Sequence, residues 1–309
     1  MSTTLVAVFP VFALLVLGHL ARRSGFLAEA FWAQTEKGTY YVLFPCLLIS
    51  RLAQAQLDWA AQAGLAIAAA SLPLLSALFC LVIQGFARFP HRDFTSFFQG
   101  GVRFNTYIGL ALIAVLPNAA LTLAALVVAV MIPVINVLCV LAYAFDPQHP
   151  NVAGPSRGRR VLNGVARNPL VLACTAGISW NMLGLPTPAL LFDVLDKLAA
   201  MALPLGLLAV GAGLRLKALH TAGRTFAWSA LVKLVLVPAL ALGLARLLQL
   251  DATATGVLLV FAAIPTASSA YILARQMGGN AELMAGIITG QTLLSLLSLP
   301  LLLGALGLH

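Results

Sequence analysis

A chain of 309 residues that is 61% hydrophobic and only 9% charged has too few polar side chains to cover the surface of a water-soluble protein. Its mean hydropathy of +0.99 is typical of a chain that lies in a lipid bilayer. The net charge of +9 comes from basic residues scattered among short connections and not gathered with aromatic residues on one face, so it does not indicate a nucleic acid partner.

Ten apolar segments follow one another along the chain, and each approaches the length of about 20 apolar residues that a spanning helix needs. We therefore predict an all-α integral membrane protein with ten transmembrane helices. The first segment lacks the basic flank of a secretory signal, so we expect it to be a mature helix. The segments run roughly over Leu5–Leu20, Trp32–Leu52, Ala60–Phe86, Phe94–Leu116, Ala119–Phe145, Val165–Leu183, Leu190–Leu214, Thr225–Leu248, Thr253–Met277 and Leu283–Leu306.

The basic residues are distributed unevenly between the two sides of the predicted membrane. Thirteen Arg and Lys follow odd-numbered segments and three follow even-numbered segments, while Arg103 and Lys233 lie within segments. Because cytoplasmic loops carry an excess of Lys and Arg, we expect the odd connections in the cytoplasm. This orientation predicts a multi-pass protein of the plasma (inner) membrane with both termini outside the cytoplasm.

The longest hydrophilic connection divides five segments from five. Residues 1–145 would form a first repeat, residues 146–164 a cytoplasmic linker and residues 165–309 a second repeat. An odd number of spans in each half inverts the halves relative to each other, which predicts a 5+5 inverted repeat. Breaker residues in corresponding segments lie 159 to 167 residues apart and support this division. These pairs are Pro10 and Pro169, Pro45 and Pro204, Pro73 and Pro238, Asn105 and Pro265, and Pro133 and Pro300.

Two apolar segments carry a polar interruption near their middle. Residues 264–269 of the ninth segment include Pro265, Thr266 and two serines, and residues 104–108 of the fourth include Asn105 and Thr106. A backbone group freed by proline finds no water in hydrocarbon, so such a break persists only where protein or an internal cavity supplies partners. We predict that helices 4 and 9 break here and that the two stretches face each other.

Four short motifs occur in order along the chain: Phe104, Asn105 and Thr106 with Gly109; Arg167 to Leu170; Ala263 to Ala267 with Leu273 and Ala274; and Thr292 to Pro300. In order and spacing they resemble the auxin efflux carrier family, which includes plant auxin exporters and bacterial carriers of the malonate and malate type. The resemblance covers nearly the whole chain. Plant members carry proline at both interruptions, whereas the fourth segment here must break without one.

The resemblance implies a fold similar to that of bile-acid symporters and sodium/proton antiporters, with helices 4 and 9 broken and crossing near the bilayer centre. It also implies that a core of helices 3–5 and 8–10 moves against a scaffold of helices 1, 2, 6 and 7. Such scaffolds often form homodimers. An elevator-type movement of the core would then give alternating access.

The two predicted breaks together would form an anion site. Helix halves that begin near Thr106 and near Ser268 would present unpaired N–H groups and the positive end of the helix dipole to the membrane centre. For Asn105, Ser268 and Ser269 the alternative is that their side chains only cap helices. For Asn136 and Gln291 the alternative is that their side chains form hydrogen bonds between helices. The predicted substrate-binding residues are Arg103, Asn105, Thr106, Asn136, Pro265, Thr266, Ser268, Ser269 and Gln291.

Charged residues indicate the sign of the charge that the substrate carries. Arg103 lies eight residues past Thr95, about 12 Å into the membrane at 1.5 Å per residue. An embedded cation such as Arg103 or Lys233 is costly and indicates function; the alternatives are snorkelling or bonding to carbonyl groups at a broken helix end. All nine acidic residues fall in loops or at segment ends, which favours an anionic substrate and leaves the coupling ion open between sodium, a proton or none.

No pattern of catalytic residues or metal ligands is present. The four cysteines lie in apolar segments and the five histidines lack metal-binding spacing, so we expect no enzyme activity, no metal and no cofactor. We predict a secondary transporter that moves a small organic anion, such as a dicarboxylate or an auxin-like carboxylate. The alternatives are a sodium-coupled symporter of a bile-acid-like anion and a membrane sensor that does not transport.

Overall fold

A computed structural model describes residues 3–55, 59–114, 118–144, 167–220 and 222–305. Across these ranges the regular structure is helical and contains no strand. The predicted linker, residues 146–164, and both chain termini lie outside the described residues. The helices are α1 (Thr3–Arg23), α2 (Glu29–Gly38), α3 (Phe44–Ala53), α4 (Trp59–Ala87), α5 (His91–Val102), α6 (Thr106–Ile113), α7 (Asn118–Ala144), α8 (Pro169–Met182), α9 (Ala189–Gly213), α10 (Gly223–Leu231), α11 (Val237–Leu247), α12 (Ala252–Ala263), α13 (Ser269–Gln276) and α14 (Ala281–Ala305).

Five helical stretches of the described chain are long and apolar enough to cross a membrane. They are Gln62–Ala87, Ala120–Tyr143, Ala189–Gly213, Gly223–Leu247 and Ala281–Leu302. Their outer faces are apolar as well: Leu74, Leu78 and Leu81, which share one face of α4, are each more than half exposed. Apolar side chains that point outward along a whole helix face are solvated by lipid and not by water, so the chain is a helical membrane protein.

Proline shapes two of the longer helical stretches. A π-helical turn over Thr39–Leu43 joins α2 to α3, and another over Val232–Leu236 joins α10 to α11. In each case a proline, Pro45 or Pro238, follows within two residues. Because proline cannot donate to the carbonyl four residues earlier and its ring crowds that carbonyl, the wider π turn keeps the helix continuous around it.

The helices pack into two groups. In one, α1 lies along α9, and α3 contacts both α8 and α9. In the other, α4 packs on α7 and α11, and α5 packs on α10 and α14. Small residues allow the closest approach in the first group: a Cβ at Gly18 or Gly211 would clash with a backbone carbonyl of the partner helix. Glycine at both positions therefore fixes α1 against α9, as small residues do between membrane helices.

Candidate functional site

The two interrupted segments meet in the middle of the second group. Helix α5 ends at Val102 and α6 begins at Thr106, while α12 ends at Ala263 and α13 begins at Ser269. Between them the chain is extended at Arg103 and Ile264, and the backbone N–H of Asn105 donates to the carbonyl of Pro265 at 2.8 Å. We call residues 103–105 and 264–268 the crossover. The sequence predicted that these stretches face each other, and the structure joins them by this bond.

The fourth segment is interrupted without proline because Asn105 supplies the cap that the new helix needs. Its Oδ1 accepts hydrogen bonds from the backbone N–H groups of Tyr107 at 3.1 Å and Ile108 at 3.3 Å. These N–H groups belong to the first turn of α6, which has no carbonyl partners of its own. Phe104 also packs edge to face on Phe261 of α12, with ring centroids 5.1 Å apart. Capping and packing together hold the extended residues in place.

The carbonyl ends of the interrupted helices are bound from behind the crossover. Gln291 of α14 accepts from the Thr266 N–H at 2.9 Å and donates to the Gly100 carbonyl at 3.0 Å and to Ser229. The Thr266 hydroxyl donates to the Gln99 carbonyl at 3.2 Å. Thr266 and Gln291 are fully buried. Their role is therefore to satisfy backbone groups that helix breaking frees, which is the hydrogen-bonding alternative for Gln291.

Lys233 hydrogen-bonds the carbonyl end of α12, as Gln291 does that of α5. Its side chain is 1% exposed, and Nζ donates to the carbonyl of Phe261 at 3.4 Å, in the last turn of α12. A cation is favoured there because the unpaired carbonyls of a helix C-terminus carry partial negative charge. Lys233 is thus the partner of a broken helix end and does not line the cavity described next.

A cavity of about 380 Å³ opens beside the crossover. Arg103 lies in it between two helices: one terminal nitrogen donates to Asn136 Oδ1 of α7 at 3.1 Å, and the other approaches Ser269 Oγ at 3.5 Å. Thr106 and Ser269, the first residues of α6 and α13, also line it. One guanidinium and the positive ends of two helices therefore line the cavity.

Two polar groups of this wall lack a protein partner. They are Asn105 Nδ2 and Arg103 Nε, both buried and without a hydrogen bond among the described residues. A buried donor without an acceptor is costly. Both atoms are also shielded from the cavity space, so a ligand would reach them only after a local side-chain movement.

The predicted site residues omit several that line the cavity, among them Glu36, Lys37 and Tyr40. Glu36 of α2 lines the cavity, and its Oε1 accepts a hydrogen bond from the Ser268 hydroxyl at 3.1 Å. The two residues are 232 apart in sequence, so no local pattern pairs them. Spacing alone offers one signal: Glu36 and Tyr40 share a face of the same helical stretch, and Tyr40 lines the cavity too. The cavity thus contains a carboxylate as well as two cations, Arg103 and Lys37.

The structure separates the nine predicted site residues into two sets. Arg103, Asn105, Thr106, Asn136, Ser268 and Ser269 line the cavity. Pro265, Thr266 and Gln291 are not among its lining residues and instead form or brace the crossover. Ser268 makes no side-chain capping bond to α13, and its hydroxyl donates to Glu36. In the described part of the chain, no cluster of three or more His, Cys, Asp or Glu is suited to a metal ion.

Part of the sequence is similar to known membrane transporters. Residues 156–303 match the family model described as "Membrane transport protein". An uncharacterized transporter of Methanothermobacter thermautotrophicus is 28% identical over 144 residues, which are 47% of this chain and 47% of that protein. The match thus spans about half the length of this curated relative.

Proposed function

We propose that the chain is a secondary carrier of a small organic anion, because residues 156–303 match the membrane transport protein family model and a polar cavity lies beside the crossover. The resemblance to the auxin efflux carrier family is confirmed for this half of the chain. One observation carries the choice of an anion: the Arg103 guanidinium and the first residues of α6 and α13, Thr106 and Ser269, line the same cavity. A carboxylate bound there would accept from the guanidinium and lie at the positive ends of both helices.

The helix pattern supports a ten-span architecture. If α2 with α3, α5 with α6, α10 with α11, and α12 with α13 each make one span, the chain has ten, of which the fourth and ninth are broken. The halves around residues 146–164 would then be inverted repeats. Both α6 and α13 would begin at the membrane centre, with their positive ends toward the substrate.

The two packing groups support an elevator-type alternating access. Helices α1, α2, α3, α8 and α9 would form the scaffold, through which we expect a homodimer, and the remaining helices would form the moving core. The cavity lies between them, since α2 contributes Glu36 and Tyr40 and the core contributes the crossover. Movement of the core would carry the bound anion past the scaffold.

The cavity faces one side of the predicted membrane. Lys37 and Gln276 line it, and both lie near connections that the distribution of basic residues assigns to the cytoplasm. Under the proposed topology, with both termini outside the plasma membrane, this is an inward-open state. An anion would therefore reach Arg103 from the cytoplasm.

Glu36 bears on whether an ion is transported together with the anion. From the sequence we expected no carboxylate at the site, whereas Glu36 is hydrogen-bonded to Ser268 within the cavity. A carboxylate between the scaffold and the core can hold a proton or contribute an oxygen to sodium. Coupled symport of an anion, which includes the bile-acid-like alternative, is therefore the second candidate function.

Uptake into proteoliposomes tests the proposed function. We expect saturable uptake of at least one of labelled malonate, malate, succinate and indole-3-acetate, with competition by unlabelled anions and none by malonamide, which has the shape of malonate without its charge. Empty liposomes are the control. Repeating the assay with an imposed sodium or proton gradient separates coupled symport from uniport. Uptake of none of the four above the control level would contradict the proposal.

A further inference from the structure

A second and larger cleft lies on the other side of α13 from the crossover cavity. It encloses about 780 Å³ where the end of α1, the connection after α9, α13 and α14 come together. This volume is in the range that holds small-molecule ligands. The charged and aromatic side chains that line it are His19, Arg23, Arg215, Lys217, Tyr271 and Glu282.

The cleft has an excess of unpaired positive charge. Three cations, Arg23, Arg215 and Lys217, line it against one carboxylate, Glu282. Across the described ranges, the one ion pair is that of Arg22 with Glu29, and Arg22 also donates to the Ala212 carbonyl at 2.6 Å. Arg23, next to it in sequence, has no ion pair among the residues that the structure describes. Clustered cations that no protein carboxylate neutralises favour a bound anion.

Arg215 is held in a fixed position in this cleft. Its guanidinium lies 4.7 Å from the centre of the Tyr271 ring, and its backbone N–H donates to Thr289 Oγ1 of α14 at 2.9 Å. The short 3₁₀ turn that follows, Leu216–Leu219, lies directly against α14, where Gly286 leaves room for the Ala218 backbone. A guanidinium stacked on an aromatic ring keeps its planar fork of donors available for an oxyanion.

We propose that this cleft binds a phosphate group, carried either by the headgroup of an anionic phospholipid or by a soluble phosphate compound. Phosphate oxygens match the fork of Arg215, and Arg23 and Lys217 supply further charge. The rule that basic residues gather on the cytoplasmic side explains why cations lie on this face. It does not explain why Arg23 of α1 and two cations of the connection after α9, Arg215 and Lys217, line one concave space.

Native mass spectrometry of the purified full chain in detergent tests the site. The probes are phosphatidylglycerol, phosphatidylcholine with the same acyl chains, and inorganic phosphate. We expect the protein to retain phosphatidylglycerol or inorganic phosphate in preference to phosphatidylcholine. The variant Arg23→Gln/Arg215→Gln/Lys217→Gln should lose this binding by about tenfold or more, since each basic residue near an anionic headgroup contributes.

A matched variant controls for charge alone. Arg88→Gln/Arg167→Gln/Arg275→Gln also removes three exposed cations from connections predicted to be cytoplasmic, but none of the three lines the cleft. It should bind as the wild type does. Equal loss in both variants, or no loss in the cleft variant, would overturn the proposal. If inorganic phosphate displaces phosphatidylglycerol the site takes soluble phosphate, and if it does not the site takes the lipid.

The single variant Lys217→Gln covers the case in which the cleft triple variant does not fold. Lys217 is exposed, so its replacement leaves the packing of the described residues intact. We expect about threefold weaker binding of the preferred probe. Unchanged binding in this folded variant would equally count against the site. Because binding is measured without transport, the result is independent of which substrate the carrier moves.

Discussion

Arg103→Gln should lower the initial rate of uptake of the transported anion by roughly 10- to 100-fold, because a hydrogen-bonded charge pair contributes about 1.5–3 kcal/mol. Arg103 is the cation at the crossover, and its guanidinium donates to Asn136 of α7 and to Ser269 of α13. Glutamine keeps a polar group of similar reach but cannot bind a carboxylate with a charged fork. The measurement is uptake into proteoliposomes at a substrate concentration well below saturation.

Two further variants show whether charge or geometry matters. Arg103→Lys keeps the charge without the planar fork, so we expect an intermediate rate. Arg275→Gln removes a cation from α13 that does not line the cavity, so its rate should equal that of the wild type. Uptake at the wild-type rate in well-folded Arg103→Gln would show that Arg103 does not bind the substrate.

Asn105→Asp should stop anion uptake while leaving the fold intact. Asparagine and aspartate cap helices about equally well, and a carboxylate is favourable at a helix N-terminus. The Oδ1 bonds to Tyr107 and Ile108 can therefore persist. The new charge would pair with Arg103 and repel the substrate, and like charges in such a site cost several kcal/mol. We expect uptake to fall by roughly 100-fold or more with an unchanged thermal unfolding midpoint.

The reverse exchange at another cap supplies the control. Asp251 caps α12 by accepting from the Ala254 N–H at 2.8 Å, and it does not line the cavity. Asp251→Asn should leave both uptake and unfolding unchanged. If Asn105→Asp transports as well as the wild type, the anion does not bind at the start of α6. If Asn105→Asp unfolds at a much lower temperature, the cap argument is incorrect.

Proline and the polar cluster made the ninth-segment interruption predictable. The fourth-segment interruption was less predictable, since Asn105 can cap a helix or lie within one. The structure distinguishes the two by the bonds from the Tyr107 and Ile108 N–H groups to its Oδ1 and by the bond from its own N–H to the Pro265 carbonyl. That bond joins residues 160 apart, and hydrophobic periodicity carries no information about it. Motif spacing predicted the pairing of the two segments because each interrupted helix needs partners that the other supplies.

Side-chain roles were harder to predict than the positions of the helices. Gln291 was predicted in the substrate site, but it points behind the crossover because the freed Gly100 carbonyl and Thr266 N–H lie there. Glu36 was left out because it lies near the end of an apolar segment, where a charge is usually solvated. The packing of α2 against the core brings it to Ser268. Such contacts between distant helices depend on tertiary packing, which no local pattern reports.

Chemical protection of Ser269 is the most direct test of the anion site at the crossover. Ser269→Cys would be made in a Cys46→Ala background, since the other three cysteines are buried, with Ser24→Cys as an exposed control outside the cavity. The variant should still take up the anion that the wild type transports. At ten times its dissociation constant, this anion should slow modification of Ser269→Cys by a methanethiosulfonate roughly tenfold and leave Ser24→Cys unaffected. Equal modification rates with and without the transported anion would place its binding site elsewhere.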